Sequence, residues 1–381
     1  MDINFSEEQQ MIRDSAKSFL SKNCPTSLVR EMEVDEKGYT EKLWKGMAEL
    51  GWMGLVSPEE YGGTGMGFLD LIVLVEEMGK VLLPGPFFSS AILGGFSFVE
   101  AGNDLQKKEF LPKIAKGELI FTLAINEAES AYDPSSIEVS AVADGDDYII
   151  TGTKLFVPDA HVADYILCAA RTSKSSDLEG GLTFFIVNGK APGISIRLLK
   201  NIARGKQFEM VFNDVKVPKK NILGELDEGY SPMRKVLQKA AVAKCAEMVG
   251  GGQWVLDTVV AYAKEREQFG KPIGAFQAIQ HHCSNILVDL ETCRWVTYKT
   301  AWMIDEGMPY DMQVSIAKAW CNQAYRRILV LGHQVMGGIG YMEEHDLPLY
   351  FRRARETEVA FGDKDYHQRI VADQLFSHGL I

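Results

Sequence analysis

The sequence has no long hydrophobic run, no paired cysteines and no concentrated stretch of positive charge, and each absence removes a class of protein. No apolar segment approaches the ~18 residues of a membrane span. The strongest candidates, Leu69–Val75 and Ile328–Leu331, are broken by charged or polar residues within a turn or two. The six cysteines, at 24, 168, 245, 283, 293 and 321, include no C-x-x-C pair, so free buried thiols are expected. Forty Lys and Arg stand against 52 Asp and Glu, a net charge of 40 − 52 = −12. An acidic chain is poorly suited to nucleic acid, whose binding needs cations to displace phosphate counterions. A local basic site for a phosphorylated ligand is compatible with that total, because net charge averages over the surface. The acidic segment Met1–Glu8 lacks the basic and apolar regions of a secretion signal, so a cytoplasmic protein is expected.

What is present is the composition of an ordinary globular protein: 381 residues, 46% hydrophobic and 24% charged. The length is enough for two to three domains at ~150 residues each. Residues 1–120 read as helices. Ser6 and Gln9 form a capping-box pattern ahead of Met11, Ile12, Ala16, Phe19 and Leu20 at helical spacing. A second helix is expected from Glu41 to Leu50, stopped by Gly51. The glycine-rich segment Tyr61–Gly67 lacks the Gly-Lys-Ser/Thr ending of a phosphate loop and is read as a tight turn before a helix at Leu69–Lys80. Pro84-Gly85-Pro86 then precedes an apolar stretch, Ala91–Val99.

The period changes near residue 120. Ile137–Val142, a turn at Asp144-Gly145, and Tyr148–Ile150 predict a β-hairpin. Short β-rich runs follow at Lys154–Val157, Tyr165–Ala170, Leu182–Val187, Ile194–Leu198 and Glu209–Phe212, at the spacing of a barrel or sandwich. This segment, 121–228, ends near Glu225–Gly229. From 229 to 381 helical periodicity returns, with no proline between Met233 and Lys271 and further helices at Phe276–Glu306 and Tyr310–Gln334. Gly250-Gly251-Gly252 inside the first of these implies close helix packing, since mid-helix glycine costs ~1 kcal/mol against alanine. The fold class is therefore α+β: an N-terminal helical domain (1–120), a middle β-barrel or sandwich domain (121–228) and a C-terminal helical bundle (229–381).

Individual motifs offer little chemistry. Adjacent His281 and His282 point about 100° apart on a helix, and no His-x-x-x-His or Glu-x-x-His spacing exists, so no metal site is expected. There is no Gly-x-Ser-x-Gly elbow. Met336–Gly340, taken alone, reads as a helix C-cap and turn.

Several segments together resemble the acyl-CoA dehydrogenase family. They are Glu59-Glu-Tyr-Gly-Gly-Thr-Gly65, Val75-Glu-Glu-Met-Gly79, Ala101–Lys108, Asn126-Glu127, Lys154–Val157, Ala163-Asp164, Arg266-Glu-Gln-Phe-Gly-Lys-Pro-Ile273, Phe276-Gln277 and Gln334-Val-Met-Gly-Gly-Ile-Gly-Tyr341. The resemblance spans nearly the whole chain in the right order. It implies an FAD enzyme that oxidises an acyl-CoA thioester to an enoyl-CoA, passes electrons to an electron-transfer flavoprotein and assembles as a homotetramer. By the same resemblance Leu123, Ile125 and Asn126 would lie on a strand against the isoalloxazine edge, with Phe156, Val157 and Pro158 covering its other side. Arg266, Gln268 and Phe269 would reach a partner subunit's FAD, the guanidinium suiting pyrophosphate. Gln277, Gln334, Gly337 and Gly338 would complete the adenosine end, and Phe87–Leu93, including Ser89 and Ser90, would line the acyl pocket.

Departures from the family pattern bear on catalysis. Asn126 and Pro158 stand where Thr or Ser is usual, and proline brings neither hydroxyl nor N–H. Ala131-Tyr132-Asp133 replaces a Gly-Ser-Asp loop that often touches CoA. The family's base is a glutamate in a Tyr-Glu-Gly-Thr motif, which here reads Ala360-Phe361-Gly362-Asp363, so Phe361 takes its place. An alternative base position, on the helix before the Arg-x-Gln-Phe-Gly motif, falls at Ala240. Loss of a general base typically forfeits ~10²–10⁴ in rate. The backbone N–H at 361, next to Gly362, would still polarise a thioester carbonyl, being independent of the side chain. Three readings follow. The base is displaced, with Glu127, Glu129 and Asp363 the nearest carboxylates by motif; or this is the base-less subunit of a heteromer whose paralogous partner carries the glutamate; or it is a binding or scaffold protein. Glu344-His345-Asp346 and Tyr350–Arg353 resemble such partner subunits. Retention of Arg266, Gln334, Gly337 and Gly338 argues against the scaffold.

Overall fold

The computed structural model describes residues 5–129, 132, 134–174 and 180–377. The chain forms two compact units. One comprises residues up to Arg30, Gly67–Leu83 and Ala241 onward; the other comprises Glu31–Met66 and Pro84–Ala240. No helix among the described residues is long and apolar enough to cross a membrane.

The first unit is helical. It holds α1 (Glu7–Asn23), the start of α2 (Thr26–Val34), α4 (Phe68–Lys80), most of α7 (Tyr230–Glu265), α8 (Gln277–Asp305), α9 (Asp311–Met336), α10 (Leu347–Val359) and α11 (Lys364–Ser377). The capping box at α1 is formed: Gln9 N donates to Ser6 Oγ and Ser6 N to Gln9 Oε1, both at 3.1 Å. The N-terminus of α4 is capped from α8, where the Asp305 carboxylate accepts from Phe68 N at 2.6 Å and Leu69 N at 2.8 Å. Where α4 meets α7 the backbones touch. A Cβ on Gly250 would lie 2.0 Å from Glu76 O, and one on Gly79 would lie 2.3 Å from Glu247 O. The buried Glu76 beside this crossing accepts from the Tyr298 hydroxyl and pairs with Arg294 at 3.3 Å. Helix α2 was not apparent from periodicity; it follows directly on Pro25 and packs the buried Val29 and Met32.

The second unit contains α3 (Glu41–Glu49), α5 (Gly95–Ala101), α6 (Asp104–Ala115) and a sheet of strands β1–β8. The strands are β1 (Phe121–Ala124), β2 (Ser140–Asp144), β3 (Asp147–Pro158), β4 (Tyr165–Arg171), β5 (Leu182–Asn188), β6 (Ile194–Leu199), β7 (Gln207–Pro218) and β8 (Ile222–Leu223). Their order is β6-β7-β3-β2-β4-β5-β8, with β1 parallel to β4. A single pair, Ser140 with Arg171, joins β2 to β4. The two halves so joined share one core, to which Ile150, Phe212, Cys168 and Phe185 contribute. Lys154–Val157, expected as a separate strand, continues the hairpin strand β3, which is bulged against β7 between Lys154 and Val157. The apolar stretch near residue 90 is a π-helix, Phe88–Gly94, running straight into α5.

The glycine-rich turn at 61–67 turns its amides inward. Gly63 N, Thr64 N, Gly65 N and Met66 N donate to Pro58 O, Gly54 O, Ser57 O and Leu55 O at 2.9–3.2 Å. A phosphate loop needs those donors facing outward, so the structural reading of this segment holds.

Candidate active site

In the sheet unit, the candidate residues stand where β1 and β3 end. β1 stops at Ala124, so Ile125 and Asn126 follow it rather than belonging to it. Asn126 O accepts from Leu155 N at 2.9 Å, and the buried Thr122 hydroxyl donates to Pro158 O. Leu123 and Val157 bury their side chains, leaving only backbone for a ligand. The β3 bulge has the opposite effect on Phe156. This residue takes a left-handed backbone, φ 55°, and its ring is 51% exposed. Bulges re-aim a side chain in this way.

Ser89 and Ser90 sit in the π-helix, buried, and both hydroxyls are in use. Ser89 Oγ donates to Asp159 Oδ2 at 2.6 Å; Ser90 Oγ donates to Leu119 O and accepts from Phe121 N, each at 3.2 Å. The Asp159 carboxylate was not singled out from the sequence, because its link to Ser89 joins residues 70 apart. Ala240 is fully buried in α7. Of the carboxylates considered, Glu127 is committed to structure. Lys154 Nζ lies 2.5 Å from its Oε1, and Glu138 N and Val139 N donate to it at 2.7 and 3.2 Å. Asp363 caps α11 by accepting from Tyr366 N at 2.8 Å. Glu129 is exposed. In the loop Ala131-Tyr132-Asp133, Ala131 and Asp133 lie outside the described residues.

In the helical unit, Arg266 leads into a short hairpin, β9 (Glu267–Gln268) with β10 (Lys271–Pro272). Its two-residue tip, Phe269-Gly270, has φ of 55° and 77°. Both positive values are those of a type I′ turn, which favours Asn or Gly at the place Phe269 occupies. Phe269 is 91% exposed, and among the described residues its ring meets the edge of Phe276 at 6.0 Å. Arg266 is exposed and forms no ion pair among the described residues, so neither Glu265 nor Glu267 holds it. The Gln268 side-chain amide donates to Glu267 O at 2.7 Å. Gln277, at the start of α8, and Gln334, near the end of α9, are exposed. Gly337 ends α9 at φ 62°, and a Cβ on Gly337 or Gly338 would meet nothing within 4 Å.

Phe361 lies between α10 and α11 at φ 57°, followed by Gly362 at φ 108°. Sequence reading missed the two residues that hold this corner. Lys318 of α9 is 0% exposed; its Nζ reaches Asn322 Oδ1 at 2.7 Å, Thr357 O at 3.0 Å, Gly362 O at 3.1 Å and Glu358 O at 3.4 Å. His367 of α11 donates from Nε2 to Phe361 O at 2.9 Å and accepts at Nδ1 from Ser315 Oγ at 3.1 Å. Burial lowers both groups, Lys318 to about 8 and His367, with Lys318 nearby, to about 4. A signal was available: Lys318 shares the helix face of Val314, Ala317, Cys321 and Tyr325, all buried. All six cysteines are free, and no metal-ligating cluster occurs among the described residues.

Comparison with known families decides what these elements belong to. Sequence models of the N-terminal, middle and C-terminal domains of acyl-CoA dehydrogenase match residues 6–118, 122–215 and 227–376. The chain belongs to the acyl-CoA dehydrogenase family. It is 31% identical over 381 residues to a probable acyl-CoA dehydrogenase of Bacillus subtilis, covering 98% of this chain and 100% of that protein. The butyryl-CoA dehydrogenase structure from Megasphaera elsdenii superposes with a TM-score of 0.92 at 28% identity, covering 99% of this chain and 100% of that one. A chain of the ChsE4–ChsE5 complex from Mycobacterium tuberculosis gives 0.89 at 26% identity, covering 98% and 99%. The acyl-CoA dehydrogenase fold, helical N-terminal domain, middle sheet domain and helical C-terminal domain, is thereby established. Members of the family are FAD flavoproteins and act on acyl-CoA.

The residues present fit such a cofactor. A guanidinium without a protein counter-ion matches a pyrophosphate. Phe156 and Phe269 are held outward by left-handed backbone, and the open side of Gly337 and Gly338 leaves room for close approach.

Proposed function

We propose that this chain is an FAD-binding acyl-CoA dehydrogenase subunit that takes part in oxidising an acyl-CoA thioester to its enoyl form, with the proton acceptor supplied by a second, glutamate-bearing chain. Bound FAD supplies a two-electron acceptor for the substrate's β-hydrogen. Arg266 neutralises pyrophosphate, Gln277, Gln334, Gly337 and Gly338 hold the adenosine end, and Gln268 and Phe269 extend the arm that carries Arg266. Leu123, Ile125 and Asn126 present backbone to the ring edge, while Phe156, Val157 and Pro158 cover its opposite side. Ser89, Ser90 and Ala240 in one unit, and Phe361 and Gly362 in the other, are the residues that the family resemblance assigns to substrate, and an electron-transfer flavoprotein collects the electrons.

The observation that carries this reading is Phe361 at the family's base position, with Ala240 at the alternative one. A phenyl ring accepts no proton. Two of the three motif carboxylates are already engaged, which supports this reading: Glu127 is bound to Lys154 and Asp363 caps a helix, while Glu129 is exposed. A homotetramer repeats the same vacancy in every subunit, whereas a heteromer does not. The three functional segments remain those proposed from the sequence, 1–120, 121–228 and 229–381.

The test uses the full chain purified alone and again after co-expression with a glutamate-bearing paralogue. Flavin stoichiometry is measured, then bleaching on anaerobic addition of linear, cyclic and dicarboxylic acyl-CoAs. Bleaching only with the paralogue supports the proposal. Bleaching by the chain alone overturns the partner-supplied base and directs attention to Asp159, which sits against Ser89 of the acyl-pocket segment. Absence of flavin in both preparations overturns the FAD assignment.

A further inference from the structure

We propose that Lys318 and His367 are positioning residues that hold the Phe361–Gly362 peptide as a ready-made socket for a proton acceptor, present here although position 361 carries none. The inference rests on the reading of 361 as the family's base position. The carbonyls of Thr357, Phe361 and Gly362 are each taken by a buried side chain, Lys318 or His367. The Lys318 ammonium has three N–H groups, and three oxygens lie within 3.1 Å: Asn322 Oδ1, Thr357 O and Gly362 O. Thr357 O and, at 3.4 Å, Glu358 O are among the last carbonyls of α10, which no intrahelical partner can satisfy. Asn322 Nδ2 adds a second, longer donor to Gly362 O at 3.4 Å. His367 fixes the preceding carbonyl, that of Phe361, which requires the proton on Nε2, and Ser315 Oγ then donates to Nδ1.

The socket leaves the chain little freedom. A Cβ on Gly362 would lie 2.5 Å from His367 Nε2 and 2.6 Å from Tyr366 Cδ1, so the turn accepts glycine alone there. With both carbonyls pinned and φ left-handed at 361 and 362, the 361 side chain leaves the backbone in one direction. Ending a helix requires much less than this. A glycine in left-handed conformation and exposed carbonyls suffice, whereas a fully buried cation is expensive to desolvate. The presence of this buried cation at the turn is accounted for by the placement of residue 361.

The test reads proton transfer separately from oxidation. Full-length Phe361→Glu, loaded with FAD and with the paralogue where that is required for loading, is incubated with a saturated acyl-CoA in D₂O, and exchange at the thioester's α-carbon is followed by NMR. At least tenfold faster exchange than in the parent chain is expected. Adding Lys318→Met or His367→Gln should remove at least tenfold of that gain, with Lys318→Arg intermediate. In parallel, amide hydrogen exchange is measured on the native-361 background. Lys318→Met and His367→Gln should each deprotect the 357–363 segment while α9 and α11 stay protected. Unchanged protection of 357–363, or loss spread through α9 and α11, overturns the positioning role whatever the NMR shows. Equal α-exchange with and without Lys318 overturns it as well. No α-exchange in Phe361→Glu, combined with segment-specific deprotection, overturns the reading of 361 as the base position and leaves Lys318 and His367 as organisers of the turn.

Discussion

Three phenylalanines, Phe156, Phe269 and Phe361, hold left-handed backbone conformations. A side chain with a β-carbon carries a cost of about 1–2 kcal/mol there, and such strain persists where the surroundings impose it. All three coincide with positions that family resemblance assigns to cofactor or substrate. Burial of charge and of titratable groups gives two residue-scale predictions. Glu127→Ala leaves the Lys154 ammonium buried without its carboxylate, so a loss of about 3–5 kcal/mol of stability is expected in urea denaturation. His367 is held well below its ordinary value of 6.5, at about 4. The unfolded chain therefore binds a proton before the folded chain does, and stability falls as pH drops from 6.5 towards 4. The loss over that window is on the order of 3 kcal/mol. His367→Gln should be less stable at pH 7 but show a flatter decline in urea midpoint between pH 7 and 4.

At the scale of elements, glycine sets how closely helices approach. Gly79 of α4 and Gly250 of α7 face each other's backbones reciprocally, through Glu247 O and Glu76 O. Gly250→Ala forces a methyl group to 2.0 Å from a carbonyl oxygen. An overpacking loss of about 2–3 kcal/mol or more is expected, visible as a lower thermal midpoint. The glycine triplet at 250–252 announced this crossing in the sequence, as the capping box at Ser6 announced α1 and alternation announced the β2–β3 hairpin. Other elements were not legible from local pattern. Helix α2 is short. Strand β1, implied only by the family resemblance, is four buried residues with no alternation, and it forms by parallel pairing with β4, about forty residues later. The π-helix at Phe88–Gly94 differs from an α-helix only in hydrogen-bond register, which apolar periodicity does not resolve.

At the scale of the whole molecule, the arm around Arg266 is exposed, and the cofactor role proposed for it sets what its loss should and should not change. Arg266→Gln should leave the thermal midpoint of the flavin-free chain within about 0.5 kcal/mol of the parent, as expected for an exposed position without partners. The same change should lower flavin retained after gel filtration severalfold. Unchanged retention would remove Arg266 from the cofactor site. The proposal for Phe361 belongs to this scale too, because a base supplied by a second chain is a property of an assembly and is read by comparing the chain alone with the co-expressed pair.

The sequence by itself determined the helix–sheet–helix order, the absence of a metal motif and the family, because these rest on local periodicity and on motifs read along the chain. It also placed a phenylalanine, Phe361, where the family resemblance puts the base. Tertiary structure alone decided which carboxylates and hydroxyls are engaged, and that a lysine in the middle of α9 is buried against the 361 turn. Those facts depend on contacts such as Lys154 with Glu127, Ser89 with Asp159 and Lys318 with Gly362, which join residues 27, 70 and 44 apart. Whether a polar group is spent or available is a property of its neighbours in space, and local pattern carries no record of them.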